Sequence, residues 1–359
     1  VEKFYSNVDE IEIENSSICN AACPQCVREF IPGNHSWFEE KYLSVDFFEN
    51  HIPVEIYQNL KSLLFSGSIG DPCTAPNFLD VIKTVRSKGN FRICVNTNGG
   101  MKNPEWWRKL ASLLGPEDAV QFALDGLEDT NHIYRVNVKW SKVIENASAF
   151  IESGGNAYWQ FVVFKHNQHQ VEQAKTLSAK LGFKTFIAKP SHRFALDNLL
   201  GIQRIGSGGV LLEPPTLPEY LHIVMKSNPV SIDEWFSKSN NSCINCYAKK
   251  TNTAYIDSRG HLFPCCYLSG NYYARLNIDF PDNWTEFWSQ FGADKINLHN
   301  YSWNEIVEGS LFEEVERRWN ADYKGGRLSI CASTCSEFEN RLNDLDYTKN
   351  NKQISNLNE

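Results

Sequence analysis

From about residue 10 to 190 the chain alternates strand-length apolar runs with stretches whose apolar residues recur at helical spacing. No other feature limits the fold as much. Residues 11–15, 62–65, 91–96, 119–124, 158–164 and 185–188 read as strands. Ser44 caps a helix that carries Phe47, Phe48 and Ile56. Pro76 begins another, with Phe78, Leu79, Ile82 and Val85 at helical spacing and Gly89 closing it. Asn103 and Pro104 supply the cap and first-turn proline of a helix over 105–114. Helices over 141–151 and 170–181 stop at Gly154-Gly155 and Gly182. Strands interleaved with helices in this way pair in parallel through right-handed crossovers, which makes an α/β fold. A doubly wound sheet and a curved, partial barrel share this order, and periodicity does not separate them. In either, the chemistry belongs to the loops that follow the strands.

The first of those loops is Cys19-Asn20-Ala21-Ala22-Cys23-Pro24-Gln25-Cys26. Three thiolates on one tight loop can hold three corners of a cubane iron–sulfur cluster. Such clusters normally take four cysteines, so a three-cysteine loop leaves one iron open to an exchangeable ligand. Open positions mark catalytic rather than structural metal sites. Two other readings fit the same residues: a zinc knuckle completed by a ligand such as His35, or reduced thiols with no metal.

The CxxxCxxC spacing resembles the signature of the radical S-adenosylmethionine (radical SAM) enzymes. In that family SAM chelates the unique iron, and reductive cleavage yields a 5′-deoxyadenosyl radical that abstracts hydrogen from substrate. The resemblance implies a partial (β/α)6 TIM-like barrel. One position departs from the pattern: Gln25 stands where an aromatic residue usually precedes the third cysteine.

Further elements fall at later strand ends. Gly67-Ser68-Ile69-Gly70-Asp71-Pro72 resembles the family's "GGE" element, whose backbone binds the methionine amine, with Gly70-Asp71 in place of Gly-Glu. An ordinary strand-to-helix turn has the same composition. Asn96-Thr97-Asn98-Gly99 matches a Thr-Asn-Gly stretch of the family, and also a plain polar turn. Leu124-Asp125-Gly126, followed by Arg135, is similar to the "SLDG … R" stretch of radical SAM peptide modifiers, with Ala123 replacing the serine. By that likeness Asp125 faces the cavity as a substrate ligand or proton acceptor. Arg135 pairs with the SAM carboxylate, or makes a surface salt bridge. Gln160, if it points inward, contacts SAM. Cys73 follows the Gly-Asp-Pro turn and is a candidate cavity residue with a chemical role. Cys94 reads as a small buried hydrophobe. His166 and His169 read as solvated.

Residues 191–231 form a connector, with seven Gly and Pro crowded into 201–218. A cysteine-bearing region follows over 232–340, after a core of 1–190, and 341–359 is a polar tail. In it Cys243-x2-Cys246, Cys265-Cys266 and Cys331-x3-Cys335 frame a hairpin over 254–263 turning at Arg259-Gly260, and a helix over 303–319. This arrangement resembles the SPASM/twitch auxiliary-cluster domain, a small α+β unit. The resemblance implies one auxiliary 4Fe–4S cluster on Cys246, Cys265, Cys331 and Cys335, with Cys243 and Cys266 spare. A structural zinc on the same thiolates is the alternative.

The 359 residues carry a net charge of −8 and no long Lys/Arg run, which argues against a nucleic-acid partner held through phosphates. No apolar run reaches membrane-spanning length, and no signal peptide opens the chain. Eleven cysteines, an odd count of which all but Cys73 and Cys94 cluster by local spacing, suit metal ligation in a reducing cytoplasm better than a disulfide framework. The expected activity is radical SAM chemistry on a peptide or protein, with an external electron donor of flavodoxin or ferredoxin type. No peptide-recognition domain stands before residue 10, so leader binding calls for a separate protein or a direct groove. Dehydrogenation of a small molecule such as an amino sugar is the alternative within the enzyme class. A non-catalytic iron–sulfur or zinc protein is the alternative outside it.

Overall fold

The computed structural model describes residues 7–30, 39–191, 193–194, 197, 201–220, 243–274, 284–322 and 325–335. His35 and the polar tail lie outside them. Six strands, β1 (Glu10–Glu14), β2 (Ser62–Ser66), β3 (Arg92–Thr97), β4 (Ala119–Ala123), β5 (Ala157–Val163) and β6 (Thr185–Pro190), are parallel neighbours in chain order. Between them run α1 (Val45–Asn50), α2 (Val54–Asn59), α3 (Phe78–Lys88), α4 (Pro104–Leu113), α5 (Asn131–Tyr134), α6 (Trp140–Glu152) and α7 (Val171–Lys180). A doubly wound sheet reverses its strand order at a switch point. Among β1–β6 the order never reverses, so every right-handed crossover between them lies on the same face and this part of the sheet is that of a partial barrel.

The two faces differ in chemistry. Toward the helices the strands send Ile11, Ile13, Leu63, Phe65, Ile93, Val95, Val120, Phe122, Trp159 and Phe161, all fully buried. Phe65 meets Phe78 of α3 edge-on at 5.1 Å, and Phe122 meets Trp107 of α4 at 5.1 Å and Phe150 of α6 at 6.0 Å. Each such side chain contributes roughly 1.5–3 kcal/mol of burial. The alternate positions, matched in register across the sheet, include Glu10, Glu12, Glu14, Ser62, Ser66, Asn96, Gln121 and Gln160. A closed barrel fills its interior with layers of apolar side chains. A polar inner face belongs to a barrel that holds something other than its own core.

Past β1 the sheet continues into the second half. β7 (Thr253–Ile256) pairs parallel with β1, and β8 (Leu262–Phe263) returns antiparallel to β7 around Gly260, whose φ is +82°. Described helices there are α8 (Tyr247–Thr251), α9 (Cys266–Ala274), α10 (Trp284–Phe291), α11 (Trp303–Val307), α12 (Ser310–Arg318) and α13 (Ser329–Cys335).

Two helix expectations change. The helix expected across 303–319 is two: Ser302 and Glu305 form a capping box on α11, and α12 starts anew after Gly309, whose extended φ of −72° and ψ of 163° end the first. The helix capped by Ser44 stops at Asn50, and α2 begins after Pro53, which cannot continue the preceding turn.

Candidate active site

The cysteine loop leaves β1 at the mouth of the barrel and is held there by neighbouring backbone. Ile18 O accepts from Asp71 N at 2.8 Å, and Ala22 N donates to Val136 O at 3.1 Å. Cys26 N closes the turn onto Cys23 O at 2.8 Å. Asn98 Nδ2 points to Cys19 Sγ, and Arg135 Nη1 to Cys23 Sγ, each at 3.7 Å. Burial, with help from the Asp71 charge, pushes the Cys19 thiol up to about 12. Burial pushes Cys23 up to about 11 against the pull of Arg135. Neither is a free nucleophile near neutral pH; a bound metal is what would draw off their protons. Among the described residues no three His, Cys, Asp or Glu side chains converge on one ion. Three donors spread along a turn fit separate corners of a polynuclear cluster.

The Gly67–Asp71 turn packs against this loop. A Cβ on Gly67 would lie 1.8 Å from Gly70 O, and one on Gly70 1.9 Å from Ser16 O, so both positions require glycine. Glu14, fully buried at the end of β1, takes Ile69 N at 2.5 Å and Gly70 N at 2.9 Å on one oxygen. Tyr255 of β7 donates to its other oxygen at 3.4 Å and to Ser68 Oγ at 3.1 Å. Desolvation outweighs the two backbone donors and raises the Glu14 carboxyl to about 7.

Asp71 and Thr97 are brought together, but by each other. Asp71 accepts from Cys73 N at 3.0 Å, from Thr97 Oγ1 on both oxygens at 2.9 and 3.0 Å, and from Asn98 N at 2.7 Å. Its carboxylate therefore locks the loops after β2 and β3 together. Asn98 adds a bond from Nδ2 to Asn20 Oδ1 at 2.9 Å. Asn96 and Gln160 lie on the inner face, and Gln160 Oε1 accepts from Gln121 Nε2 at 2.8 Å.

Four expectations need correction. Asp125 does not open to the cavity: it is 0% exposed, with one oxygen on Arg135 Nε at 2.5 Å and the other on Val162 N at 2.6 Å. Burial raises its carboxyl, and the guanidinium opposes that rise. Arg135 is accordingly in a buried pair rather than a surface one, and it lies over the Tyr134 ring at 5.3 Å. Cys73 does not line the cavity. It sits in a 3-10 turn capped by Asp71, and its side chain belongs to the apolar core. His166 is half-buried, stacked on Phe164 at 5.3 Å, and burial lowers its imidazole to about 4; His169 is exposed.

The second-half cysteines separate. Cys246, Cys265, Cys331 and Cys335 line one cavity, otherwise walled by apolar residues such as Leu268, Val315 and Trp319. The Cys246 and Cys335 thiols touch, which with burial raises Cys246. The Cys246 sulfur faces N–H groups of α8, and the Cys265 sulfur faces N–H groups at the start of α9. Such donors favour thiolate once a metal offsets the burial that pushes Cys265 up to about 12. This donor set fits an iron–sulfur cluster. Cys243 is exposed, and Cys266 turns from the cavity to hydrogen-bond Glu12 on the barrel's inner face.

Sequence reasoning passed over Glu12, Glu14, Gln121 and Tyr255. The signal for the first two was present: in Ile11-Glu12-Ile13-Glu14 a strand buried on one side aims its acids together at the other. Tyr255 stood in the expected hairpin of the second half, but its reach to Glu14 gave no signal, because nothing local says that β7 pairs with β1.

Residues 13–177 match the radical SAM superfamily. The chain is 30% identical over 122 residues to the tungsten-containing aldehyde ferredoxin oxidoreductase cofactor-modifying protein of Pyrococcus furiosus, which covers 34% of this chain and 32% of that one. The match thus spans about a third of that relative's length. Among solved structures, Streptococcus suis SuiB bound to precursor peptide SuiA aligns with TM-score 0.54 at 14% identity, over 91% of this chain and 76% of that one. Native anSMEcpe with bound AdoMet aligns with TM-score 0.52 at 17% identity, over 91% and 89%. These two likenesses are likenesses of fold.

Proposed function

We propose that this chain, an enzyme whose residues 13–177 form a radical SAM superfamily domain, abstracts hydrogen from a peptide or protein substrate and uses a second, auxiliary 4Fe–4S cluster to process the product. SAM on the three-cysteine cluster supplies a 5′-deoxyadenosyl radical when reduced. The chain's own residues would hold, aim and shield. Cys19, Cys23 and Cys26 would ligate three irons, and the Gly67–Gly70 backbone, braced by Glu14, would receive the methionine end of SAM. Arg135, charged through Asp125, would add positive charge beside Cys23. Gln121 and Gln160 would offer amide contacts on the inner face. Cys246, Cys265, Cys331 and Cys335 would close the auxiliary cluster.

The single observation that carries this reading is the meeting of three loops. Asp71 joins the loop after β1, through Ile18 O, to the end of β3, through Thr97 and Asn98, and this is the arrangement a cofactor spanning three strand ends needs. The peptide class is supported by the fold shared with SuiB, whose structure holds its precursor peptide, and by a polar, acid-lined barrel interior. No helix among the described residues is long and apolar enough to cross a membrane. The proposed setting is the cytoplasm, with a flavodoxin- or ferredoxin-type donor and, for leader binding, a separate recognition protein.

Anaerobic reconstitution tests the reading. About eight iron and eight sulfide per chain are expected for two cubanes. Dithionite and SAM should then yield 5′-deoxyadenosine, and Cys23→Ala should abolish it. A fully loaded protein that makes none would overturn the proposal.

A further inference from the structure

Gln25 stands between two proposed cluster ligands, and it is 0% exposed. Its Nε2 donates to Asp197 Oδ2 at 2.9 Å, and its Oε1 accepts from Ser191 Oγ at 2.6 Å. Its backbone carbonyl accepts from Arg193 Nη1. All three partners follow β6, about 170 residues along the chain. Asp197 is itself fixed: Arg204 Nε donates to its other oxygen at 2.8 Å, and its own carbonyl accepts from Ile202 N at 2.8 Å. Phe194, buried between these partners in sequence, packs on Phe164 at 5.8 Å, and Phe164 packs on Tyr134 at 4.6 Å. The next residue after Tyr134 is Arg135, which reaches Cys23. The cysteine loop is therefore clamped from two sides, at Cys23 by the β4 loop and at position 25 by the segment after β6.

An amide suits this place for a definite reason. Asp197 needs a neutral donor toward Gln25, because Arg204 already supplies its charge, and Ser191 needs an acceptor. A glutamine side chain gives both at once from a single planar amide; a phenylalanine gives neither, and would leave a buried carboxylate and hydroxyl short of partners.

We propose that Gln25 is a positioning residue: its amide latches the cysteine loop to the segment after β6, setting where Cys26 stands relative to Cys19 and Cys23. Position 25 then acts through Asp197 and Ser191, not by packing on the nucleoside. The function of this latch rests on the radical SAM reading above; its existence does not.

The test is a donor–acceptor swap. Gln25→Glu sets a carboxylate against Asp197, and adding Asp197→Asn restores a donor facing an acceptor. Two readouts are followed: amide hydrogen exchange over residues 20–28, and SAM binding seen as the change SAM makes in the reduced cluster's EPR spectrum. Gln25→Glu should speed exchange and weaken SAM binding, each by about tenfold, the loss of one buried charged-partner bond. The double variant should return both to within about threefold of the parent. Ser191→Ala, a milder cut, should shift exchange in the same direction by severalfold. A Gln25→Glu protein indistinguishable from the parent, or a swap no better than the single variant, overturns the latch. Exchange needs no cofactor, so a parent protein that binds no cluster would sink the radical SAM reading while the exchange arm still decides the latch.

Discussion

Replacing Glu14 by glutamine should remove a pH dependence from the stability of the protein. Glu14 is fully buried, and desolvation holds its carboxyl at about 7 against an ordinary value of 4.5, even though Ile69 N and Gly70 N both donate to it. The unfolded chain releases this proton near the ordinary value; the folded chain keeps it until near neutrality. Between those points the native state binds more protons, so stability falls as pH rises, and it levels off once the native group has also ionised. At about 1.4 kcal/mol per unit the full effect is roughly 3 kcal/mol, of which about 2–3 kcal/mol falls between about pH 5 and about pH 8. Glutamine keeps the geometry: its Oε1 can accept both backbone N–H groups, and its amide can donate to the Tyr255 hydroxyl. Urea unfolding followed by tryptophan fluorescence, run anaerobically with reductant across that range, gives the comparison. The gap between the Glu14→Gln and parent free energies should widen by about 2–3 kcal/mol toward high pH, with the denaturant slope unchanged. A gap that stays constant with pH would refute the argument, because the carboxyl would then titrate alike in both states.

Other outcomes follow from the same contacts. Cys331→Ala should lower iron by about four per chain and spare SAM cleavage while stopping product formation. Cys266→Ala, whose thiol faces Glu12 rather than the cysteine cavity, should leave iron unchanged in the same assay. Gly70→Ala drives a methyl to within 1.9 Å of Ser16 O; calorimetry should show SAM binding lost, because the turn and the cysteine loop cannot both keep their places. Asp125→Asn strands the buried Arg135 charge and should cost about 3–5 kcal/mol in urea unfolding. The Asp125→Leu/Arg135→Met pair should recover part of that, which would separate an unpaired charge from lost packing.

Much of the site was written locally. The strand Ile11–Ile13 with its alternating acids, the glycines at 67 and 70, and the Asn103-Pro104 helix start each act through near neighbours, so their residue types betray them. What failed did so for want of distant partners. Asp125 looks like a free acid until Arg135 and Val162 N are found beside it, and Cys73 looks like a cavity thiol until the 3-10 turn directs it into the core. Gln25 reads only as a departure from a family pattern; its bonds to Asp197 and Ser191 come from a segment no local rule would pair with it.

The sequence alone therefore settled the alternation of strand and helix, the sites of the turns and the spacing of the cysteines, because hydrophobic period, glycine freedom and thiol chemistry are properties of short stretches. Tertiary structure decided the rest. It chose a barrel whose first six strands never reverse their order, set β7 beside β1 so that Tyr255 reaches Glu14, and sorted the second-half cysteines into four around a cavity and two outside it. It also decided which carboxylates are consumed by the protein. Pairing and burial are relations between residues far apart in the chain, and their energies exist only once folding has brought both partners out of water.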